Sequence, residues 1–188
     1  MSHTLGDLEA IMGMPDYPPL EVPWNKAVEQ LGVPFPSDYR AFIERYGPVC
    51  FSGDLVVASP SLKPDILDEA RFDGLYRFNQ NLSQMMEQWG GWFPEAVRPY
   101  GPFLAPGGLL GWASNTSADY FCWHMVGSDP DQWPVVVWRY GGDEMNRFDG
   151  GMVDFLVAVL SGEFPDAEEM IDRNLDPCIW KSLLRERY

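Results

Sequence analysis

The stretch VPFPSDYRAFIERYGPVCF, residues 33–51, contains the clearest local folding signals in the chain. Pro34 and Pro36 stop any preceding helix, and residues 36–37 suit the start of a new one, where a proline or a capping hydroxyl fits. Large apolar side chains then recur at spacings of three and four residues: Tyr39, Phe42, Ile43 and Tyr46. We therefore predict an amphipathic helix that buries this stripe and ends at Gly47 and Pro48.

Upstream of this helix, residues 24–31 are predicted to form another short helix, and Gly32 is placed to end it as a left-handed cap. Residues 1–23, which end in MPDYPPLEVP (14–23), form a proline-rich lead-in. We expect this lead-in to be ordered only where it docks on the rest of the chain.

Downstream, VCF (49–51) and DLVVAS (54–59) are typical of two strands joined by a turn at Ser52 and Gly53. Residues 60–80 are acidic, and we predict a loop there. A helix capped by Asn81 should follow and end at Gly90 and Gly91. Its predicted apolar stripe comprises Leu82, Met85, Met86 and Trp89.

The strongest β signal lies in residues 119–148. DYFCWHMV and PVVVWRY are rich in aromatic and β-branched residues, and GGDEMNRF adds a turn and a third short strand, so we predict an antiparallel meander. The nearly all-apolar segment MVDFLVAVLS (152–161) predicts a buried helix with Gly162 as its cap. A short C-terminal helix is predicted in CIWKSLLRERY, residues 178–188.

The charge balance narrows the range of partners. The 28 acidic and 13 basic residues give a formal net charge of −15 at pH 7, which disfavours nucleic acid and anionic membranes and favours a basic protein. Acidic surfaces also simply keep proteins in solution. Cys50, Cys122 and Cys178 match no zinc or redox spacing, and the N-terminus shows no leader pattern, so we expect a cytoplasmic protein.

The residue types needed for catalysis are sparse. His3 lies near the N-terminus, whereas Cys122 and His124 share one face of a predicted strand and could form half of a metal site. No second such pair completes it, and a half-buried strand face is the simpler interpretation. No G-x-S-x-G motif is present, and APGGLLG (105–111) lacks the lysine of a phosphate loop. We therefore predict no catalytic residue, cofactor or metal.

The order of these elements resembles the SUKH superfamily, named partly for the Smi/Knr cell-wall assembly regulators. In that family a helix ends in Leu-Gly, and P-x-D-Y-x-x-F begins the next helix, which ends in glycine. The matching positions here are Leu31, Gly32, Pro36, Asp38, Tyr39, Phe42 and Gly47. ADYFCWHM resembles the family's G-D-x-x-x-W strand, with Asp119 and Trp123 at the matching positions. VVVW resembles the next strand of the family. MVDFLVAVLSGE resembles its F-x-x-F-L helix, with Phe155 and Leu156 at the matching positions. The chain departs from this pattern at Tyr46, where the family often has asparagine, at Ala118, where it has glycine, and in the length of residues 61–100.

The resemblance implies an α+β fold, a curved and mainly antiparallel sheet with helices packed against it. It divides the chain into the lead-in 1–23, a SUKH-like domain 24–163 and an acidic extension 164–188 with a short helix. The family has no general catalytic apparatus, and its bacterial members are best known as immunity proteins that bind toxins, many of them nucleases. The resemblance thus implies a non-enzymatic immunity protein against a basic toxin. A scaffolding domain with an endogenous partner is one alternative, and a hydrolase using Cys122, His124 or carboxylates is another.

Acidic side chains on loops are the predicted contacts for such a basic partner. One predicted surface comprises Asp129, Asp131, Asp143 and Glu144, with Trp133 as an aromatic anchor. An alternative surface comprises Asp65, Asp68 and Glu69. We interpret most of the tryptophans near the meander as core residues of the sheet.

Overall fold

The computed structural model describes residues 3–60, 74–140, 145–165, 167–170 and 180–182. Its helices are α1 (Leu5–Met12), α2 (Trp24–Leu31), α3 (Ser37–Tyr46), α4 (Gly74–Gly90), α5 (Pro94–Val97), α6 (Met152–Ser161) and α7 (Ala167–Met170), with a 3-10 turn at Pro130–Gln132. Its strands are β1 (Val49–Phe51), β2 (Leu55–Val57), β3 (Leu109–Ser114), β4 (Tyr120–His124), β5 (Val135–Trp138), β6 (Met145–Phe148) and β7 (Trp180–Ser182). None of the helices in these ranges is both long enough and apolar enough to cross a membrane.

The strands form one antiparallel sheet in the order β6-β5-β4-β3-β2-β1-β7. The predicted meander is confirmed as β4, β5 and β6, and the predicted hairpin as β1 and β2. In the turn between β1 and β2, Ser52 and Gly53 have φ angles of 51° and 72°. Helices pack on both faces of this sheet, so the predicted α+β architecture is confirmed.

We call the face toward α1, α2, α3 and α6 the front face. Side chains alternate along a strand, and those that point to this face include Phe51, Leu55, Phe121, Trp123 and Val137. The α3 stripe predicted from its spacing meets them, since Tyr39, Phe42, Ile43 and Tyr46 are each 0% exposed. Helices α2, α3 and α6 have the predicted bounds, and Gly32 and Gly162 cap α2 and α6 in the left-handed region.

The back face is the opposite face of the sheet, covered by α4, α5 and residues 98–108. Here Leu82 and Met86 of α4 pack against Leu109, Cys122, Val136 and Trp138. The longer segment 61–100 noted in the sequence therefore supplies, in its described part, the cover for this face.

One buried polar side chain anchors α4 to the sheet. Asn79 is 0% exposed; its Nδ2 donates to the carbonyl oxygens of Leu75 and Gly111 at 2.9 Å, and its Oδ1 accepts from the Gly111 N–H at 2.7 Å. A Cβ at Gly111 would lie 2.5 Å from Leu82 Cδ2 and 2.7 Å from Phe78 Cε1. Gly111, beside the register shift in β3, is therefore needed for the close approach of α4.

The prediction that Asn81 caps this helix is wrong, as is the loop predicted for residues 74–80. Helix α4 begins at Gly74, and Asn81 lies exposed inside it. The helical spacing of apolar residues in 74–80 is interrupted because a polar residue, Asn79, occupies a buried position of α4. Residues 61–73 lie outside the described ranges, and so does the side chain of Trp89.

The helix predicted at residues 178–188 is wrong for Trp180–Ser182, which form β7 antiparallel to β1. Trp180 packs edge-to-face on Tyr46 at 5.1 Å, and its Nε1 donates to the Met12 carbonyl at 2.7 Å. These long-range contacts, together with pairing to β1, outweigh the local helical preference. The other residues of that segment lie outside the described ranges.

Helix α1 lies within the predicted lead-in. A capping box starts it, because Thr4 and Asp7 each accept a hydrogen bond from the other's backbone N–H. Leu8 and Met12 are 0% and 7% exposed and belong to the front core. The lead-in is thus docked along this helix.

Candidate interaction surface

The loop between β4 and β5 carries two of the predicted contact residues, Asp129 and Asp131, and both are exposed. Asp129 Oδ1 accepts from the Asp131 N–H at 3.1 Å and caps the 3-10 turn. Asp131 Oδ1 accepts from the Ser37 N–H at 2.5 Å, at the N-terminus of α3. The carboxylates are therefore exposed to solvent yet held in place by the backbone.

Trp133, the predicted aromatic anchor, is 5% exposed and belongs to the front core. It precedes Val135 by two residues, and residues two apart in an extended chain share a face. The indole therefore points inward with Val135, and it offers a partner almost no surface.

The other predicted contacts, Asp65, Asp68, Glu69, Asp143 and Glu144, lie outside the described residues and stay predictions. Successive loops of an antiparallel meander alternate between the two ends of the sheet. Tyr140, the last described residue before Asp143, therefore follows the end of β5 that is opposite to the Asp131 loop.

The structure adds one acidic residue beside Asp129 and Asp131 that the sequence did not indicate. Phe148 lies opposite Val135 in the register, so Asp149 follows β6 at the end of the sheet where β5 begins. Its side chain is 80% exposed and forms an ion pair with Arg147 at 2.6 Å. We call Asp129, Asp131 and Asp149 the acidic end. Only pairing between strands shows that these residues belong to one end.

Asp38 lies behind the acidic end and connects two helices. Its Oδ2 accepts from the Val153 N–H of α6 at 3.0 Å, and its Oδ1 accepts from the Tyr39 N–H at 2.6 Å. Burial raises the pKa of Asp38; the hydrogen bonds from Val153 and Tyr39 oppose this, and the nearby charge of Asp131 adds to it. A Cβ at Gly151 would lie 2.5 Å from Asp38 Oδ2, so the glycine leaves room for this cap.

Cys122 and His124 do share the back face of β4, as predicted. Cys122 is 1% exposed, and burial strongly raises the pKa of its thiol, which keeps the sulfur neutral and unreactive. The His124 ring packs edge-to-face on Tyr100 at 4.9 Å with Nε2 3.1 Å from the Gly107 carbonyl, and burial lowers its pKa. Among the described residues no three histidine, cysteine or carboxylate side chains come together to hold a metal.

A family model described as SMI1-KNR4 cell-wall, of the SUKH group, matches residues 24–156, more than half of the chain. The chain belongs to the SUKH family. No curated protein and no solved structure shows a significant match. SUKH domains are generally protein-interaction modules without catalytic activity.

Two positions of the SUKH sequence pattern, Ala118 and Asp119, have structural roles in the turn between β3 and β4. Asp119, 5% exposed, accepts from the Asn115 side chain at 3.0 Å and from the Tyr140 N–H at 2.9 Å, which ties the β3–β4 turn to the end of β5. Ala118 has a φ angle of 63°, the left-handed region in which a residue with a Cβ is strained. This conformation explains why the family pattern has glycine at that position.

Proposed function

We propose that this SUKH domain is an immunity protein that neutralises a basic, nuclease-like toxin by direct binding. The observation that carries the proposal is the acidic end, where exposed carboxylates lie on adjoining loops of a chain with a net charge of −15. Nucleases hold phosphates in basic clefts, and an acidic surface that covers such a cleft competes with the substrate.

The electrostatics favour rapid capture of such a partner. Opposite potentials steer two proteins together and raise the association rate, most strongly at low ionic strength. The hydrogen bonds of Asp129 and Asp131 hold the carboxylates before any partner arrives, so little conformational freedom is lost on binding.

The alternative is a regulatory or scaffolding domain with an endogenous partner. The words SMI1-KNR4 cell-wall in the family description support this alternative. The two proposals differ in the partner, since only an immunity protein inhibits the activity of a toxin.

The test uses purified basic nuclease domains of bacterial toxins, beginning with any that is encoded beside this gene, with nuclease inhibition and association rates as readouts. The variant Asp129→Asn with Asp131→Asn removes two charges but keeps an oxygen acceptor for each backbone N–H. Its association rate constant should fall by about 3- to 10-fold at low salt. The matched control, Glu21→Gln with Glu29→Gln, removes two charges from exposed positions elsewhere and should change the rate less than about twofold.

Equal effects of the two variants would contradict the choice of surface. Failure of the wild-type protein to inhibit the nuclease would contradict immunity and leave the scaffolding alternative.

A further inference from the structure

The back face contains a cavity of about 570 Å³ between the C-terminal half of α4, α5 and residues 100–109. Leu109 and Met86 contribute side chains that are 1% and 7% exposed. Half-buried Val97, Tyr100 and Phe103 also line it. The volume lies within the usual range of ligand pockets, and the apolar lining is typical of them.

The charged side chains around this cavity limit the kind of ligand that it can bind. Glu87 is the charged residue among the described lining residues, and it is exposed. Arg98, which follows the lining residue Val97, forms an ion pair with Glu95 at 2.6 Å. An apolar cavity beside one carboxylate, on a chain of net charge −15, therefore complements an apolar group that is flanked by a cation.

The cavity is connected to the acidic end through the backbone. Gly107 N–H donates to the Met125 carbonyl at 2.8 Å, and Met125 N–H donates to the Gly108 carbonyl at 2.9 Å. The segment that forms one side of the cavity is thus bonded to the start of the loop that carries Asp129. Trp92, two residues beyond the cavity-lining Gly90, is 72% exposed, and tryptophan is enriched in the centres of protein interfaces.

We propose that this cavity receives an apolar side chain of the basic partner, flanked by a lysine or arginine that pairs with Glu87. The proposal rests on the function proposed above and adds a specific contact to the general attraction of the acidic end. The acidic end sets the rate of encounter, and the cavity sets how long the complex lasts.

The test uses the peptide acetyl-Lys-Trp-Lys-amide as a probe, followed by ¹H–¹⁵N NMR of the whole chain. At peptide concentrations up to about 5 mM, the amide signals of Glu87, Tyr100 and Leu109 should shift. Acetyl-Lys-Ser-Lys-amide, which lacks the apolar group, and acetyl-Glu-Trp-Glu-amide, which reverses the charge, should bind at least about tenfold more weakly.

Two variants on α4 provide the control. Ser83→Phe places a ring in the cavity and should abolish the shifts, whereas Gln84→Phe, at the next and exposed position, should leave them intact. The absence of shifts in the wild type, equal binding of the Glu-Trp-Glu peptide or undiminished binding to Ser83→Phe would each overturn the proposal.

The two proposals fail separately. If Ser83→Phe dissociates from the toxin domain no faster than the wild type and Gln84→Phe, the cavity contact is wrong while immunity stands. If the peptide binds as expected but no toxin is inhibited, the cavity stands as a site for a cationic apolar group and the immunity function is wrong.

Discussion

The front and back faces of the sheet are covered in different ways. On the front face Phe155 is fully buried and lies with its ring centroid 5.2–6.0 Å from those of Trp112, Phe121, Phe148 and Phe164. On the back face the cover is held by a buried amide, Asn79, and it leaves a cavity whose lining is partly exposed.

This difference shows two ways of attaching helices to one sheet. The front face depends on many interchangeable apolar contacts, each of which adds a small amount of free energy. The back face combines a smaller apolar cluster with the hydrogen bonds of Asn79 and a glycine at one close approach, and it leaves a cavity beside α5.

The largest effect is expected from truncation of the front core. Phe155→Ala should lower the free energy of unfolding by about 3–5 kcal/mol, because it removes a ring and leaves a cavity among fixed neighbours. Met86→Ala, which borders the existing back-face cavity, should cost about 2 kcal/mol, at the low end for such substitutions. Urea unfolding monitored by tryptophan fluorescence measures both, and equal costs would show that the two faces are packed alike.

An intermediate loss of stability is expected when the side chain of Asn79, which anchors α4 to β3, is removed. Asn79→Ala leaves the Gly111 N–H and carbonyl without their partner, which should cost about 2–4 kcal/mol. The Gly111 amide should also exchange with solvent faster, as measured by hydrogen exchange. The control Asn81→Ala, an exposed position of the same helix, should change stability by less than about 0.5 kcal/mol. A larger loss at Asn81 would instead indicate that it caps a helix.

The smallest effects concern pH. Burial raises the pKa of Asp38 above its ordinary value of 3.8, so the folded state holds this proton more tightly than the unfolded state. Its contribution to stability is fully present below pH 3.8 and is lost as the pH rises through the folded pKa. The stability of the wild type relative to Asp38→Asn should therefore be greatest in acid and decrease toward neutral pH.

The pH dependence of stability expected from Asp7 has the opposite sign to that expected from Asp38. Hydrogen bonds from the Thr4 backbone N–H and hydroxyl lower the pKa of its carboxyl, so its contribution is present above pH 3.8 and is lost as the pH falls through the folded pKa. The stability of the wild type relative to Asp7→Asn should thus decrease on acidification. Urea unfolding at several pH values tests both, and parallel curves for the two variants would contradict these assignments.

The sequence by itself determined α2, α3 and α6 of the front face, and the reason is local, whereas it did not predict α1. Pro36, the stripe from Tyr39 to Tyr46 and Gly47 define α3 without reference to the rest of the chain, because each acts within one or two helical turns. Val135 and Phe121 likewise carry a β preference strong enough to predict the meander. The exposure of Asp129 and Asp131 also followed from their place in a polar loop.

The tertiary structure alone decided that the polar side chain of Asn79 and the aromatic side chain of Trp133 are buried, and which acidic residues share one end of the sheet. Asn79 is buried because a backbone group on β3 needs its amide, and Trp180 is in a strand because β1 offers an edge beside Tyr46. Trp133 turns inward with Val135, and Asp149 joins Asp129 through pairing of β5 with β6. These outcomes depend on contacts between different elements of the fold, and such contacts leave no period, cap or turn for local reasoning to detect.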